Sequence, residues 1–336
     1  MYASALKDYS KFNKMSLKNL IKEADIEEEY NIREKDRKIK KRLEDYRQWK
    51  IANGSPSSTI KRYFQIIKTF YRHHEIIIPN ISKIKLKNDF QEKYEDIPNK
   101  NHIKKAIEST DSELEIAIIL FMSSSGTAKN ETLNLTINDF IKSTKEYHSN
   151  GTITKIINEL SFKNDIIPLF SLTRLKTDYH YYTCCSDEAT TGIIKYLKTR
   201  ENLHLNSKLF EINRTQFNDL FMQINNLNKW GKVGFYGFFH SHALRKFHAT
   251  IIEDKSLADA LQGRKRDTIT ESYYKQNPKR IKEKYLEILP KLRIFPENTS
   301  SNSYIELKIE NDKLNKRITN LEKKIEFIFK NNIKLY

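Results

Sequence analysis

The sequence predicts a mainly helical protein with a small β-sheet, and three observations carry that expectation. Only 8 glycines and 7 prolines punctuate 336 residues, too few for a sandwich that turns every ten residues or for a glycine-dense phosphate loop. Long stretches place apolar residues three and four apart, the spacing of one helix face. One segment, 166–185, changes period. Ile166, Ile167, Leu169, Phe170, Leu172 and Leu175, then Tyr179, Tyr181, Tyr182 and Thr183, form β-favouring runs around a turn at Lys176-Thr177-Asp178. The hydrophobic fraction of 38%, with 18 Phe and 18 Tyr, suffices for two domains with their own cores.

Taken in order, Glu28 to Ile51 has a helical period through Tyr30, Ile32, Ile39, Leu43, Tyr46 and Trp49, ended by Asn53-Gly54-Ser55-Pro56. Ser57-Ser58-Thr59 caps a helix from Ile60 to His73, whose Ile60, Tyr63, Phe64, Ile67, Phe70 and Tyr71 share a face. The charged stretch 87–100 reads as a linker, so a helical domain is expected over 1–95 and a second domain over 101–295. Within the latter, 101–123 is helical with a break at Ser109-Thr110-Asp111, and Ser123-Ser124-Ser125-Gly126 stops it. After the hairpin, Ser186-Asp187-Glu188 caps a helix through Leu197. Further helices fit Thr215–Leu227, Ser241–Ile252, Ser256–Gln262 and Thr268 to Leu292, broken at Asn277-Pro278. In 303–336, Leu307, Asn311, Leu314, Ile318, Leu321, Ile325 and Ile328 alternate spacings of four and three, a heptad that predicts a parallel dimeric coiled-coil helix.

The chain carries 60 Lys and Arg against 43 Asp and Glu, a formal net charge of +17. Such an excess points to a polyanionic partner, double-stranded DNA first of all. Its distribution sharpens that reading. Lys61, Arg62, Lys68, Arg72, Lys83, Lys85 and Lys87 face one acid, Glu75, within 51–87 and interleave with aromatics. Arg264, Lys265, Arg266, Lys275, Lys279, Arg280, Lys282 and Lys284 crowd 264–284. Two such clusters would grip one duplex from two sides. The adjacent cysteines, Cys184 and Cys185, suit neither a disulfide with each other nor a metal, which fits a reducing cytoplasmic setting. No apolar run reaches the roughly 18 residues of a membrane span, and none follows Met1 as a signal segment.

The residues with chemical potential come in an ordered set. His242-Ala243-Leu244-Arg245 sets an imidazole and a guanidinium three apart, hence on one helix face. Leu261-Gln262-Gly263-Arg264 follows as a helix stop with a cation, then Thr270-Glu271-Ser272-Tyr273-Tyr274. Upstream, Lys176 occupies the hairpin turn.

In this set the sequence resembles the tyrosine recombinase (phage integrase) family, of the archaeal or archaeal-virus integrase type, over residues 40–290. The N-terminal helices resemble its core-binding domain. Arg174-Leu175-Lys176-Thr177 resembles its hairpin lysine, HALRKFHAT its His-x-x-Arg box, and LQGRKRDTITESYY the segment ending in its nucleophile. The resemblance implies a site-specific recombinase with a mixed α/β catalytic domain, no cofactor and no small-molecule substrate. Tyr273 would attack phosphorus and form a 3′-phosphotyrosyl link, with Tyr274 the alternative. Arg245 would bind the phosphate, Lys176 would protonate the leaving 5′-oxygen, His242 would assist proton transfer, and Arg264 would donate to the same phosphate. Lys61, Arg62, Lys68, Arg72, Lys129, Arg174, Lys246, Lys265 and Arg266 are the expected DNA contacts. A homo-oligomer is expected, dimeric through the C-terminal helix and tetrameric on DNA.

One position departs from the family. Gly126-Thr127-Ala128-Lys129-Asn130-Glu131 matches the frame Gly-x-Arg-x-x-Glu with Ala128 where arginine should stand. Alanine cannot bind phosphate, and loss of one such donor costs about 10²–10³ in rate. Three readings stay open: reduced activity, compensation by Lys129, or a recombinase-like DNA-binding protein that does not cut.

Overall fold

A computed structural model of the chain describes residues 2–82, 90, 92–264 and 277–295. The chain divides into two compact units, Met1–Gln91 and Glu92–Tyr336. The described architecture is mainly α with two small two-stranded antiparallel sheets. No described helix is long and apolar enough to cross a membrane.

The first unit holds four helices, α1 (Tyr2–Asn13), α2 (Leu17–Glu29), α3 (Lys38–Ala52) and α4 (Ser57–His73). They close over Leu20, Leu43, Ile67 and a buried tyrosine trio. Tyr9 and Tyr71 hydroxyls meet at 3.3 Å, and Tyr46 donates to Asp8 at 2.7 Å, so each phenol is satisfied inside an apolar core. The single helix expected over Glu28–Ile51 is in fact two. Asn31 adopts a left-handed φ of 50°, and the Glu27 carboxylate caps α3 from a distance, accepting from Lys38 N at 2.7 Å. Arg37, buried between them, reaches Glu28 at 2.8 Å and Ile77 O at 3.0 Å. Tyr30 and Ile32, which extend the apolar period across this break, are exposed. On α4, burial of Ile60, Ile67, Phe70 and Tyr71 turns Lys61, Arg62, Gln65, Thr69 and Arg72 outward as one exposed face. Lys68 lies half-buried over the Phe64 ring at 4.9 Å.

The second unit is built on α6 (Glu113–Ser125), buried on every side from Ile116 to Ser125. Before it comes α5 (Lys100–Glu108); after it, α7 (Lys129–Asn134), α8 (Ile137–Ser143) and α9 (Ile153–Ser161). The hairpin follows as expected: β1 (Leu169–Arg174) pairs with β2 (Tyr179–Cys184), from Leu169 opposite Cys184 to Arg174 opposite Tyr179. Ser186 caps α10 (Asp187–Lys198), which lies on α6 where Gly192 leaves 3.4 Å between an added Cβ and the Ala117 backbone. Then come α11 (Arg214–Leu227), a hairpin of β3 (Lys232–Val233) and β4 (Tyr236–Gly237), α12 (Ser241–Ile252), α13 (Lys255–Leu261) and α14 (Pro278–Leu292). A second core joins α12, α13 and α14 to the first hairpin through Ile167, Cys184, Ile252, Leu261, Ile281 and Tyr285. Both cysteine thiols are buried and free, and burial pushes that of Cys185 up to about 12.

Two side chains fix chain direction. The buried Glu188 carboxylate accepts from Ile294 N at 2.9 Å and Phe295 N at 2.8 Å, and burial raises its pKa to about 7. Asn225 of α11 donates to Gly231 O at 2.9 Å and accepts from Phe239 N at 2.8 Å, anchoring the β3–β4 hairpin at both ends. Asn225→Ala leaves the buried Phe239 N–H without its acceptor. The expected cost is about 1–3 kcal/mol, read by calorimetry as a Tm several degrees lower.

Candidate active site

The C-terminus of α6 determines the site. A helix leaves its last carbonyls without internal partners, and here three successive ones are taken by side chains from distant elements. Ser124 O accepts from the Tyr285 hydroxyl at 3.0 Å, Ser125 O from the Thr183 hydroxyl at 2.9 Å, and Gly126 O from Arg245 Nη1 at 2.5 Å. Gly126 has φ 63°, a conformation glycine adopts without strain. A Cβ there would fall 2.5 Å from the His248 ring.

Arg245, on α12, is 4% exposed. Its Nη2 donates to Gln262 O at 2.7 Å, and Gln262 Nε2 returns a bond to Arg245 O at 2.8 Å. The guanidinium thus ties the end of α6 to the end of α13. Burial, with Arg264 and Arg174 adding repulsion, pulls its pKa down to about 10, so it stays charged at neutral pH. Arg174, at the end of β1, donates to Gly263 O at 3.1 Å. Gly263, at φ 60°, leaves 2.5 Å between an added Cβ and the Tyr181 ring. Arg264 pairs with Asp259 at 3.3 Å.

His242 lies on the outer face of α12. Loss of hydration, then the charges of Lys246, His240, Arg245 and Arg264, push its pKa down to about 4, so its imidazole is neutral at pH 7. Its neighbour His240 stacks on Tyr236, centroids 5.5 Å apart, and bonds Gly237 O at 2.8 Å. Lys176 sits exposed in the β1–β2 turn, two residues past Arg174.

The sequence-derived set is therefore gathered in part. Arg174 and Arg245 donate to the successive carbonyls of Gly263 and Gln262, Arg264 is the next residue, and Arg245 and Arg264 both lower the pKa of His242. Lys129 is directed elsewhere. Its ammonium bonds Asn218 and Arg214 O and lies 5.1 Å from the Phe217 ring centre, all on α11. Those contacts do not place it beside Arg245 in the role of the absent arginine. Lys246 pairs with Glu92 at 2.5 Å. Lys61, Arg62, Lys68 and Arg72 belong to the first unit. Tyr273, Tyr274, Lys265, Arg266 and the heptads of 303–336 lie outside the described residues. Among those that are described, no group of three His, Cys, Asp or Glu side chains is placed to hold a metal ion.

Sequence reasoning missed Gln262 and His248. His248 is fully buried, takes a bond from Gln262 Nε2 at 3.2 Å on Nδ1, and is held neutral by burial with a pKa of about 3. The available signal was a pair of glycines, Gly126 and Gly263, each stopping a helix just before a motif position.

No family model and no curated protein matches the chain. Among solved structures it is similar to XerA recombinase, at 17% identity with 85% of this chain and 97% of that one covered and a TM-score of 0.37. It is also similar to XerH site-specific recombinase bound to its difH substrate in a pre-cleavage complex, at 16% identity, 73% and 69% coverage and a TM-score of 0.43.

Because His248 titrates near 3 when folded and near 6.5 when unfolded, the unfolded chain alone takes up this proton as pH falls below about 6.5. The stabilisation is complete above that value and is lost progressively toward pH 3. His248→Gln should flatten the dependence of unfolding free energy on pH between 6 and 4 by up to about 1.4 kcal/mol per pH unit. Urea titrations across that range measure it, and an unchanged slope would contradict a buried neutral imidazole.

Proposed function

We propose that this chain is a site-specific DNA recombinase that breaks and rejoins strands through a tyrosyl intermediate. The observation that carries the reading is the gathering of Arg174, Arg245 and Arg264 at the end of α13, where Arg245 bonds Gln262 O, Arg174 bonds Gly263 O and Arg264 follows. That convergence lies immediately before the segment 265–274. Three guanidinium groups near one point suit a phosphodiester, whose negative charge grows on attack and which guanidinium binds without losing its proton.

In the proposed reaction, the Tyr273 oxygen attacks phosphorus and the bond to the 5′-oxygen breaks. That oxygen leaves as a hydroxyl with a proton from Lys176, while the 3′-phosphate stays on the tyrosine. Reversal with another strand's 5′-hydroxyl rejoins the DNA, so bond energy is conserved and no nucleotide is consumed. His242, neutral at pH 7, can receive the tyrosine proton or donate to a phosphate oxygen. The exposed basic face of α4 would contact phosphates, fixing position without reading sequence. Several copies of the chain acting on two DNA sites, associating through the C-terminal heptads, belong to the same proposal.

A second reading, DNA binding without cleavage, is favoured by Ala128. The same experiment separates the two. Incubation with a library of nicked duplexes should trap a covalent adduct, lost in Tyr273→Phe and formed about 10²–10³ more slowly in Arg245→Ala. Binding whose affinity falls linearly with salt on a log–log plot, without any adduct, supports the second reading. An adduct lost in Tyr274→Phe instead moves the nucleophile by one residue.

A further inference from the structure

One residue holds Arg245 at both of its ends. The Gln262 carbonyl accepts from Nη2, at the tip of the guanidinium, at 2.7 Å, and the Gln262 side-chain Nε2 donates to the Arg245 carbonyl at 2.8 Å. The same Nε2 donates to His248 Nδ1 at 3.2 Å, one helical turn further along α12. A side-chain amide nitrogen carries two N–H groups, so both are spent on α12. The side-chain Oε1 meets no partner among the described residues, and among them the amide therefore acts through Nε2. Gln262 is 1% exposed. Burying an amide is unfavourable unless it is hydrogen-bonded, and the bonds it makes here go to the helix that carries Arg245.

An arginine has several rotatable bonds between main chain and guanidinium, and it resists being ordered. Here the main-chain end and the guanidinium end are tied to one residue, and Nη1 is tied to Gly126 O at 2.5 Å. With two arms of a planar fork fixed on carbonyls, the direction of its remaining N–H groups is set. We propose that the Gln262 amide is a positioning element for strand cleavage, acting through Arg245 by keeping the guanidinium in the orientation that meets the phosphodiester. The inference rests on the recombinase reading and deepens it, by naming a residue that sets the rate while buried out of reach of DNA. His248 steadies the amide by taking its second N–H.

Gln262→Met keeps the length of the side chain and the main-chain carbonyl, and removes both N–H donors. In the nicked-duplex assay it should slow adduct formation about tenfold, the scale of a small misplacement. DNA affinity should not change, since the interaction lost is one made in the transition state. In an Arg245→Ala background Gln262→Met should change nothing further, because its effect passes through that guanidinium. Equal slowing in both backgrounds overturns the proposal, and so does an unchanged rate in Gln262→Met alone. A second measurement needs no cleavage: nitrogen NMR of the full chain labelled at arginine, with the Arg245 signals assigned by their loss in Arg245→Lys. The two Nη of a held guanidinium give separate signals, whereas those of a freely rotating one merge. Arg245 should show a separate pair in the natural chain and a merged one in Gln262→Met. A merged pair in the natural chain overturns the proposal. A pair that stays separate in Gln262→Met does so too, because Gly126 O and the Gln262 carbonyl then suffice. If neither Gln262→Met nor Gln262→Leu folds, the natural chain decides alone, separate signals supporting the hold and merged ones overturning it. If the natural chain forms no adduct, the recombinase reading fails, and the NMR comparison still decides whether the amide holds Arg245.

Discussion

The buried guanidinium of Arg245 is the interaction on which the second unit's site depends. A charge removed from water must be repaid by close dipoles, and the protein supplies them from two helix ends. Gly126 O closes α6 and Gln262 O closes α13, each at the negative pole of its helix. Because each carbonyl is presented just at a helix stop, the cation holds α6, α12 and α13 in one register. The segments that leave those ends are 127–131 and the stretch that begins at Arg264.

The same logic explains the crowding of polar groups about the end of α6. Tyr285 and Thr183 satisfy its other terminal carbonyls, joining α14 and β2 to the helix that the rest of the core surrounds. His248 fills the space left open by Gly126, and its burial, with the charges of Arg245 and Arg264 beside it, keeps it neutral. Rigidity here costs versatility: neither glycine tolerates a side chain.

The net charge of +17 acquires meaning through placement. On α4 the cations occupy the solvated face left over once apolar residues are buried. Around Arg245 they are few, with Arg245 and Arg174 held by backbone carbonyls and Arg264 by the Asp259 carboxylate. Most paired lysines elsewhere, such as Lys284 with Glu287, are ordinary surface pairs of small energetic weight.

Much was legible from local chemistry alone. The turn around 176–178, which begins one residue earlier at Leu175, the stop at Gly126, the cap at Ser186 and the helix from Ser241 follow from residue preferences over a few positions. The break between α2 and α3 was not legible, because it depends on Arg37 reaching Ile77 forty residues away. Nor were the short helices α7 to α9 or the β3–β4 hairpin, whose form rests on tertiary support such as the two bonds of Asn225. For the site, the sequence by itself determined which groups are present and which is missing, since Ala128 is a matter of identity. Only the tertiary structure decided how they are used: that Lys129 turns to α11, and that Arg245 is held by Gln262, which His248 in turn contacts. Local preference acts through neighbours in the chain, whereas the engagement of a charge depends on every element that folding brings within a few ångströms of it.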